Sequence, residues 1–299
     1  MEENPRQNKQ NMILRAGARS ISFPRRPLVM GILNINEDSF CSDGSLDPAW
    51  AVAQTRRLIA EGADIIDVGA ESARTNRKAI SEDEEIRRLR PLLREFARIA
   101  ADSGPADDEQ IFPPLLSINT WRPKVAEEAL SIAGDLLNDM SGLTDSQNAE
   151  ICARAGAALL IMHTLGEPKV PHTHVRWENL MEQMRAFFVE RMDIAISAGL
   201  DRDALVLDPG LDFAKQTADS LQVLRELDHL TSLGRPLLVP VSRKGFIGET
   251  LDLPDPHDRD AGTVAAIAAA VEKGASIVRV HHVRAARQAI LALIHVLAA

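Results

Sequence analysis

Polar side chains follow apolar runs at eight places along this 299-residue chain. The most informative run is Leu237-Leu-Val-Pro-Val-Ser-Arg-Lys244, which is apolar until it stops at a serine, an arginine and a lysine. A hydrophobic run bounded in this way is typical of a buried parallel strand. Asparagine and aspartate side chains at such ends suit a flat heterocycle with several donors and acceptors. Lys244, Arg279 and His281 suit an anion such as a phosphate.

The eight runs are separated by helical segments, which indicates a repeated strand-then-helix unit. The predicted strands are Leu28–Asn34, Asp64–Gly69, Leu115–Thr120, Asp135–Asp139, Ala158–His163, Ala204–Asp208, Leu237–Ser242 and Ala275–His281. We predict helices from Pro48 to about Glu61, and from the capping serine Ser81 to about Ala101. Eight such units in a chain of this size predict a single (β/α)8 TIM barrel. The alternative is a doubly wound open sheet, but no Gly-x-Gly-x-x-Gly follows the first strand.

The ends of the predicted strands would meet on one face of such a barrel and form the active site there. The side chains at these ends are Asn34, Asp67, Asn119, Asn138 with Asp139, His163, Asp208, Ser242 with Lys244, and Arg279 with His281. Asp67 or Asp139 alone is equally well explained as a buried structural carboxylate. His163 alone is better explained as a core histidine. Lys244 is harder to explain structurally, because a buried lysine needs a partner.

Composition limits the other functions. The net charge of −9 argues against nucleic-acid binding. Two cysteines, Cys41 and Cys152, indicate no disulfide framework. No signal peptide and no apolar run long enough to span a membrane is visible, so we expect a cytoplasmic protein. The pair His172 and His174 is a weak metal candidate, because it lies in a loop without an obvious third ligand. Residues 1–24 are expected to be an N-terminal extension and residues 25–299 the barrel.

An ordered set of motifs in this chain resembles the dihydropteroate synthase family from about Pro27 to the C-terminus. The motifs are Met30-Gly-Ile-Leu-Asn34 with Asp38-Ser-Phe40, Ile65-Ile-Asp-Val-Gly69 with Glu71-Ser72 and Arg74, Leu137-Asn-Asp139, Met162-His163, Leu207-Asp-Pro-Gly210, Ser242-Arg-Lys244 and Arg279-Val-His281. The resemblance implies a pterin-binding barrel in the folate pathway. Its reaction joins 6-hydroxymethyl-7,8-dihydropterin pyrophosphate to p-aminobenzoate and releases pyrophosphate. It also implies a homodimer.

The resemblance assigns roles to residues of this chain. The pterin site it implies consists of Asn119, Asn138, Met162, Asp208, Phe213 and Lys244. Asn34, Arg279 and His281 match the pyrophosphate site, with Asn34 also a ligand of Mg²⁺. Phe40, Ala73, Arg74, Phe213 and Ser242 match the p-aminobenzoate pocket. The residues expected to be catalytic are Lys244, Asp208, Asn119, Arg279 and His281.

The chain departs from the family pattern at several of these positions. Asn119 stands where an aspartate is usual, and Leu211-Asp-Phe-Ala214 stands where a glycine-rich sequence is common. The form Glu37-Asp-Ser-Phe40 resembles mobile sulfonamide-resistance versions of the enzyme, which leads to the hypothesis of a sulfonamide-tolerant synthase. Two alternatives are a non-catalytic pterin-binding paralogue, motivated by Asn119, and a methyltetrahydrofolate-binding methyltransferase barrel. Lys244 argues against the second, because a cation suits a pyrophosphate-bearing substrate.

Overall fold

The structure, a computed structural model, describes residues 11–37, 41, 44–72, 77–170 and 175–298. An antiparallel hairpin, β1 (Met12–Ala16) and β2 (Arg19–Phe23), precedes eight parallel strands. These are β3 (Leu28–Asn34), β4 (Ile65–Gly69), β5 (Leu115–Asn119), β6 (Leu136–Asp139), β7 (Ala158–Met162), β8 (Leu205–Asp208), β9 (Leu238–Val239) and β10 (Ile277–Val280). They correspond to the eight predicted strands in the predicted order.

Helices follow the parallel strands and surround them. They are α1 (Pro48–Ala60), α2 (Glu82–Ser103), α3 (Pro123–Ile132), α4 (Gln147–Ala155), α5 (Leu180–Ser197), α6 (Thr217–Arg225), α7 (Gly245–Leu251), α8 (Asp260–Glu272) and α9 (Val283–Ala298). Short 3-10 helices cover Arg202–Ala204, Leu227–Leu233 and Pro256–Arg259. Ser81 caps α2 as predicted, because its side chain accepts a hydrogen bond from the Glu84 amide. Among the described residues, no helix combines the length and apolar character needed to cross a membrane.

The sheet closes into a barrel rather than remaining open. Its strands lie in the order β8-β7-β6-β5-β4-β3-β10-β9, and a bridge between Leu207 and Leu237 joins the two ends. The Leu207 amide also donates to the Pro236 carbonyl at 3.0 Å. The predicted (β/α)8 barrel is therefore confirmed. The ordered part of β9 is shorter than predicted, so Ser242 lies beyond the strand in the following loop.

Alternate residues of each strand face two different cores. In β4, Ile66 and Val68 pack against the helices, whereas Ile65 belongs to the core inside the barrel. The next inward position of β4 is Asp67, so the barrel interior changes from apolar to polar along the strand. The upper part of the barrel therefore presents polar side chains at the carboxyl ends of the strands.

The hairpin β1–β2 was not predicted, although residues 1–24 were expected to be an extension. Leu14, Ala16, Ile21 and Phe23 are buried with the residues inside the barrel. They alternate with exposed residues on both sides of a turn at Gly17, where φ is +57°. The hairpin therefore covers the amino-terminal end of the barrel. The division between extension and barrel at residue 24 stays a prediction.

Replacing Leu14 by alanine tests this packing. Leu14 is 0% exposed, so Leu14→Ala should lower the free energy of unfolding by about 2–5 kcal/mol, as for other buried leucines. Its neighbour Ile13 is 40% exposed, and Ile13→Ala should change that energy by about 0.5 kcal/mol or less. Urea unfolding measures both. Equal small effects at the two positions would mean that the hairpin does not pack on the barrel.

Candidate active site

The buried carboxylate of Asp67 lies at the centre of the polar part of the barrel. It is 0% exposed and accepts hydrogen bonds from residues of three other strands, β5, β6 and β10. The donors are Ser117 Oγ at 2.5 Å, Arg279 Nε at 2.7 Å, Asn138 Nδ2 at 3.2 Å and Asn119 Nδ2 at 3.3 Å. A buried charge is tolerated only when it is paired and hydrogen-bonded in this way. Asp67 therefore orients three residues predicted for the site: Asn119, Asn138 and Arg279.

These contacts determine which atom of Asn138 faces the cavity. A carboxylate only accepts hydrogen bonds, so the Asn138 nitrogen must face Asp67, where it lies 3.2 Å from both oxygens. Its Oδ1 is buried and has no hydrogen-bond partner within the described chain. An unpartnered buried acceptor costs about 1–3 kcal/mol. The arrangement thus leaves an oxygen available for an N–H donor of a ligand.

Asp208 provides a second carboxylate at the end of β8. It is 4% exposed, and its Oδ1 accepts a hydrogen bond from the Gly210 amide at 2.7 Å. Burial raises the pKa of Asp208 to about 6, and this effect is opposed by the Gly210 bond and by nearby cations, including Lys244 and Arg279. Asp208 is therefore an acceptor whose charge is only moderately stabilised before a ligand arrives.

Lys244 lies in the loop between β9 and α7, near the carboxylates of Asp212 and Asp208. Its ammonium donates to the Leu211 carbonyl at 2.9 Å and lies 4.6 Å from the centre of the Phe213 ring. Desolvation lowers the pKa of Lys244, whereas the carboxylates of Asp212 and Asp208 raise it. The loop after β8 therefore holds the predicted cation by a carbonyl and an aromatic face.

Ser242 and His281 form a pair next to Arg279. The Ser242 hydroxyl lies 2.9 Å from His281 Nδ1 and accepts from the His281 amide at 3.2 Å. A hydroxyl has one proton, which can then be donated to Nδ1 and leave the ring proton on Nε2. In that tautomer, His281 adds an N–H donor beside the guanidinium of Arg279. Both groups suit an anion.

Contrary to expectation, two strand-end residues, Asp139 and His163, face away from the barrel interior. Asp139 bonds to Ser141 at 2.6 Å and to Asn148 of α4 at 2.9 Å. His163 packs its ring against Trp177 and, on α5, Phe187. The reason is the alternation of the strand, which turns Asp139 outward once its neighbour Asn138 points inward. These two side chains belong to the packing between barrel and helices.

Lys215 was not recognised from the sequence; it lies in the loop after β8 and is 7% exposed. Its ammonium lies 2.8 Å from His163 Nδ1 and donates to the carbonyls of Gly210 and Phe213, both at 3.1 Å. Burial lowers its pKa to about 7. The only signal in the sequence was a lysine close to Asp208, and nothing in the sequence indicated its partner His163, 52 residues away.

The remaining predicted residues are placed as follows. Asn34 ends β3, and Met162, which is buried, ends β7 inside the barrel. Phe40, Ala73, Arg74 and the histidines His172 and His174 lie outside the described residues. Arg243, for which the sequence indicated no role, pairs with Asp260 through Nε at 2.7 Å and Nη2 at 3.0 Å. In the part of the chain that is described, no three His, Cys, Asp or Glu side chains form a metal-binding group.

Comparison with known sequences identifies relatives along most of the chain. A family described as pterin binding enzyme matches residues 30–281. The dihydropteroate synthase of Synechocystis is 36% identical over 277 residues, which cover 92% of this chain and 92% of the relative. The dihydropteroate synthase of Bacillus subtilis is 35% identical over 277 residues, covering 92% of this chain and 90% of the relative.

Solved structures agree with the sequences. The Xanthomonas albilineans dihydropteroate synthase, solved with 4-aminobenzoic acid, has a TM-score of 0.83 and 32% identity, covering 97% of this chain and 100% of that one. The Yersinia pestis dihydropteroate synthase, solved with a sulfonamide drug, has a TM-score of 0.86 and 32% identity, covering 96% of this chain and 100% of that one. The chain therefore belongs to the dihydropteroate synthase family, a family of pterin-binding transferases of folate biosynthesis, as its motifs predicted.

Proposed function

We propose that this chain condenses 6-hydroxymethyl-7,8-dihydropterin pyrophosphate with p-aminobenzoate, giving dihydropteroate and pyrophosphate. The observation that carries the proposal is the unpartnered Oδ1 of Asn138 in the same barrel interior as the buried carboxylate of Asp208. Two fixed acceptors suit the N–H groups of a pterin ring, because an analogue without those groups would leave both acceptors unpaired. Lys244 supplies a donor for the acceptor atoms of the ring.

The pyrophosphate would lie against Arg279, His281 and Asn34. Asp67 holds the Arg279 Nε, and this contact leaves the terminal guanidinium nitrogens able to donate to phosphate oxygens. Mg²⁺ usually takes one or two protein oxygens together with substrate phosphates, so the amide oxygen of Asn34 fits such an ion. When bound, the ion neutralises part of the charge on the departing pyrophosphate.

In the reaction, the bond between the pterin methylene and the pyrophosphate oxygen breaks, and its electron pair leaves with pyrophosphate. Arg279 and His281 stabilise the charge that grows on this leaving group. The methylene becomes a delocalised cation, which the carboxylate of Asp208 and the amide oxygen of Asn119 stabilise. The amine nitrogen of p-aminobenzoate then forms the new C–N bond and loses a proton.

The second substrate would bind between the loops above the barrel. Phe213 lies against the Lys244 ammonium and Ser242 beside His281, and these contacts support a p-aminobenzoate pocket next to the pterin site. Phe40, Ala73 and Arg74 would complete the pocket. Closure around the two substrates would exclude water, which otherwise captures the cation.

The first test is the reaction itself with a Lys244→Met variant. The protein, both substrates and Mg²⁺ should give dihydropteroate, and Lys244→Met should lower kcat/KM roughly 100-fold, equivalent to losing about 3 kcal/mol of a charged hydrogen bond. The control is Lys273→Met, since this exposed lysine pairs with Asp228 on the surface. A fully active Lys244→Met enzyme would refute the site. Pterin binding without product in the unmodified protein would favour the paralogue.

A second test uses the pH dependence of stability at Asp208. Its pKa of about 6 lies above the usual 3.8, so the folded protein gains stability from protonation below pH 3.8 and loses it as pH rises through 6. Asp208→Asn should therefore raise the free energy of unfolding at pH 8 by roughly 3 kcal/mol, at about 1.4 kcal/mol per pKa unit, and leave it unchanged near pH 4. The same variant should lose pterin affinity.

Urea unfolding at the two pH values measures the stability, and titration with the pterin substrate measures the affinity. Asp193→Asn is the matched control, because Asp193 is an exposed aspartate on α5. It should change neither quantity. If Asp208→Asn lowers the free energy of unfolding at pH 8, the charged carboxylate of Asp208 does not destabilise the folded protein as we propose.

We further propose that the enzyme tolerates sulfonamides, on the basis of the Glu37-Asp-Ser-Phe40 form and of Ala73 beside Arg74. These drugs occupy the p-aminobenzoate pocket, so changes in its loops alter drug and substrate binding differently. The synthase assay with a sulfonamide measures this. Inhibition at the concentration that inhibits a drug-sensitive member of the family would reject the proposal.

The assembly and location that we propose are a cytoplasmic homodimer. The proposal rests on the family resemblance and on exposed apolar side chains at Leu251, Val296 and Leu297, near the C-terminal ends of α7 and α9. Sedimentation velocity at micromolar concentration distinguishes a dimer from a monomer. A single species at 32.7 kDa, the mass of one chain, would exclude the dimer.

A further inference from the structure

The loop after β8 contains two residues with backbone angles that favour glycine. Asp212 has φ +65° and Ala214 has φ +52°, both in the left-handed region. The family commonly has a glycine-rich sequence here, where this chain has Leu211-Asp-Phe-Ala214. A side chain in this conformation is strained, so it persists where other contacts determine it. For Asp212, those contacts are visible.

The carboxylate of Asp212 binds the beginning of α7. The Gly245 amide donates to its Oδ2 at 2.5 Å, and the Phe246 amide donates to its Oδ1 at 3.3 Å. The first amides of a helix have no partner within the helix, and the residue at the N-cap position of α7 is Lys244, whose side chain cannot accept. A residue of another loop therefore supplies the cap.

Gly245 leaves the space that this contact needs. A Cβ atom placed on Gly245 would lie 3.2 Å from Asp212 Oδ2, closer than ordinary van der Waals contact. Ser220 supports the same residue from α6, because its hydroxyl accepts from the Asp212 amide at 3.1 Å. Asp212 and Gly245 are thus complementary in size across the two loops.

Lys244 is fixed by this loop at both ends of its side chain. Its ammonium donates to Leu211 O, next to Asp212 in sequence, and its backbone adjoins the amides that Asp212 binds. The charged groups that act on the ammonium are the carboxylates of Asp212 and Asp208 and the guanidinium of Arg279. Lys215 belongs to the same loop, where its ammonium donates to the Phe213 carbonyl. Asp212 therefore adds a negative charge near Lys244, in a chain that has Asn119 at the usual aspartate position.

We propose that Asp212 is a positioning residue for Lys244, fixing its backbone through the amides of α7 and keeping its ammonium charged. This inference rests on the proposed role of Lys244 in binding the pterin. Removal of the charge should lower the pKa of Lys244, because an opposite charge nearby favours the ammonium form. The enzyme should then lose activity at a lower pH than the unmodified protein.

Three variants separate the charge of Asp212 from its hydrogen bonds. Asp212→Asn tolerates the backbone angle and keeps one accepting oxygen, so kcat/KM for the pterin substrate at pH 6.5 should fall less than about threefold. The alkaline limb of its kcat/KM–pH profile should move to lower pH by about one unit. Asp212→Gly relaxes the backbone but loses both the cap and the charge, so kcat/KM should fall about tenfold at pH 6.5, and its alkaline limb should also move to lower pH. Gly245→Ala displaces the intact carboxylate and should raise KM with little change in kcat.

The control is Glu249→Gln, which removes an exposed carboxylate from α7 and should leave the pH profile unchanged. Circular dichroism verifies that each variant is folded. An unchanged alkaline limb in both Asp212→Asn and Asp212→Gly would overturn the inference, as would a Gly245→Ala enzyme with unchanged KM. An active Lys244→Met enzyme would instead refute the pterin site itself, so the two failures are distinguishable.

Discussion

The buried negative charge of Asp67 is the constraint on which the polar half of the barrel depends. A carboxylate at 0% exposure requires hydrogen-bond donors, and three other strands of the barrel supply them through Ser117 of β5, Asn138 of β6 and Arg279 of β10. Each donor is held in one orientation as a result. The oxygen of Asn138 is turned away from Asp67 and has no partner among the described residues, and Arg279 is held through its Nε. A site that must recognise a flat polar ring needs this rigidity before the ligand binds.

Two lysines of the site, Lys244 and Lys215, are held by the loop after β8. Residues 210–213 accept hydrogen bonds from Lys244, through the Leu211 carbonyl, and from Lys215, through the carbonyls of Gly210 and Phe213. Both lysines are stabilised in this way although burial disfavours their charge. The carboxylate of Asp208 lies at the start of the same segment. The loop therefore combines acceptor, cation and aromatic face in one short piece of chain.

The departures from the family pattern are related through this arrangement. Asn119 removes a carboxylate from β5, but its amide donates to Asp67, so no buried donor is left without a partner there. Asp212 adds a carboxylate in the loop after β8, at a position where a glycine-rich sequence is common. Compared with the family pattern, a carboxylate is thus absent at the end of β5 and present in the loop after β8. Substitutions at one strand end are therefore best interpreted together with those at the others.

The sequence by itself determined the strands, the barrel and the family. Strands buried on both faces are apolar throughout and stand out as runs, and the motifs at their ends are local, so both can be found without coordinates. The hairpin at Met12–Phe23 alternates apolar and polar residues on both sides of Gly17 but was not predicted. Each of its strands has only two buried positions, and so short an alternation is a weak signal. Only the tertiary structure showed that Asp139 turns out of the barrel interior toward α4, where it bonds to Asn148. Likewise, the contacts of Lys215 with His163 and of Asp212 with Gly245 join residues 52 and 33 positions apart, which only folding brings together.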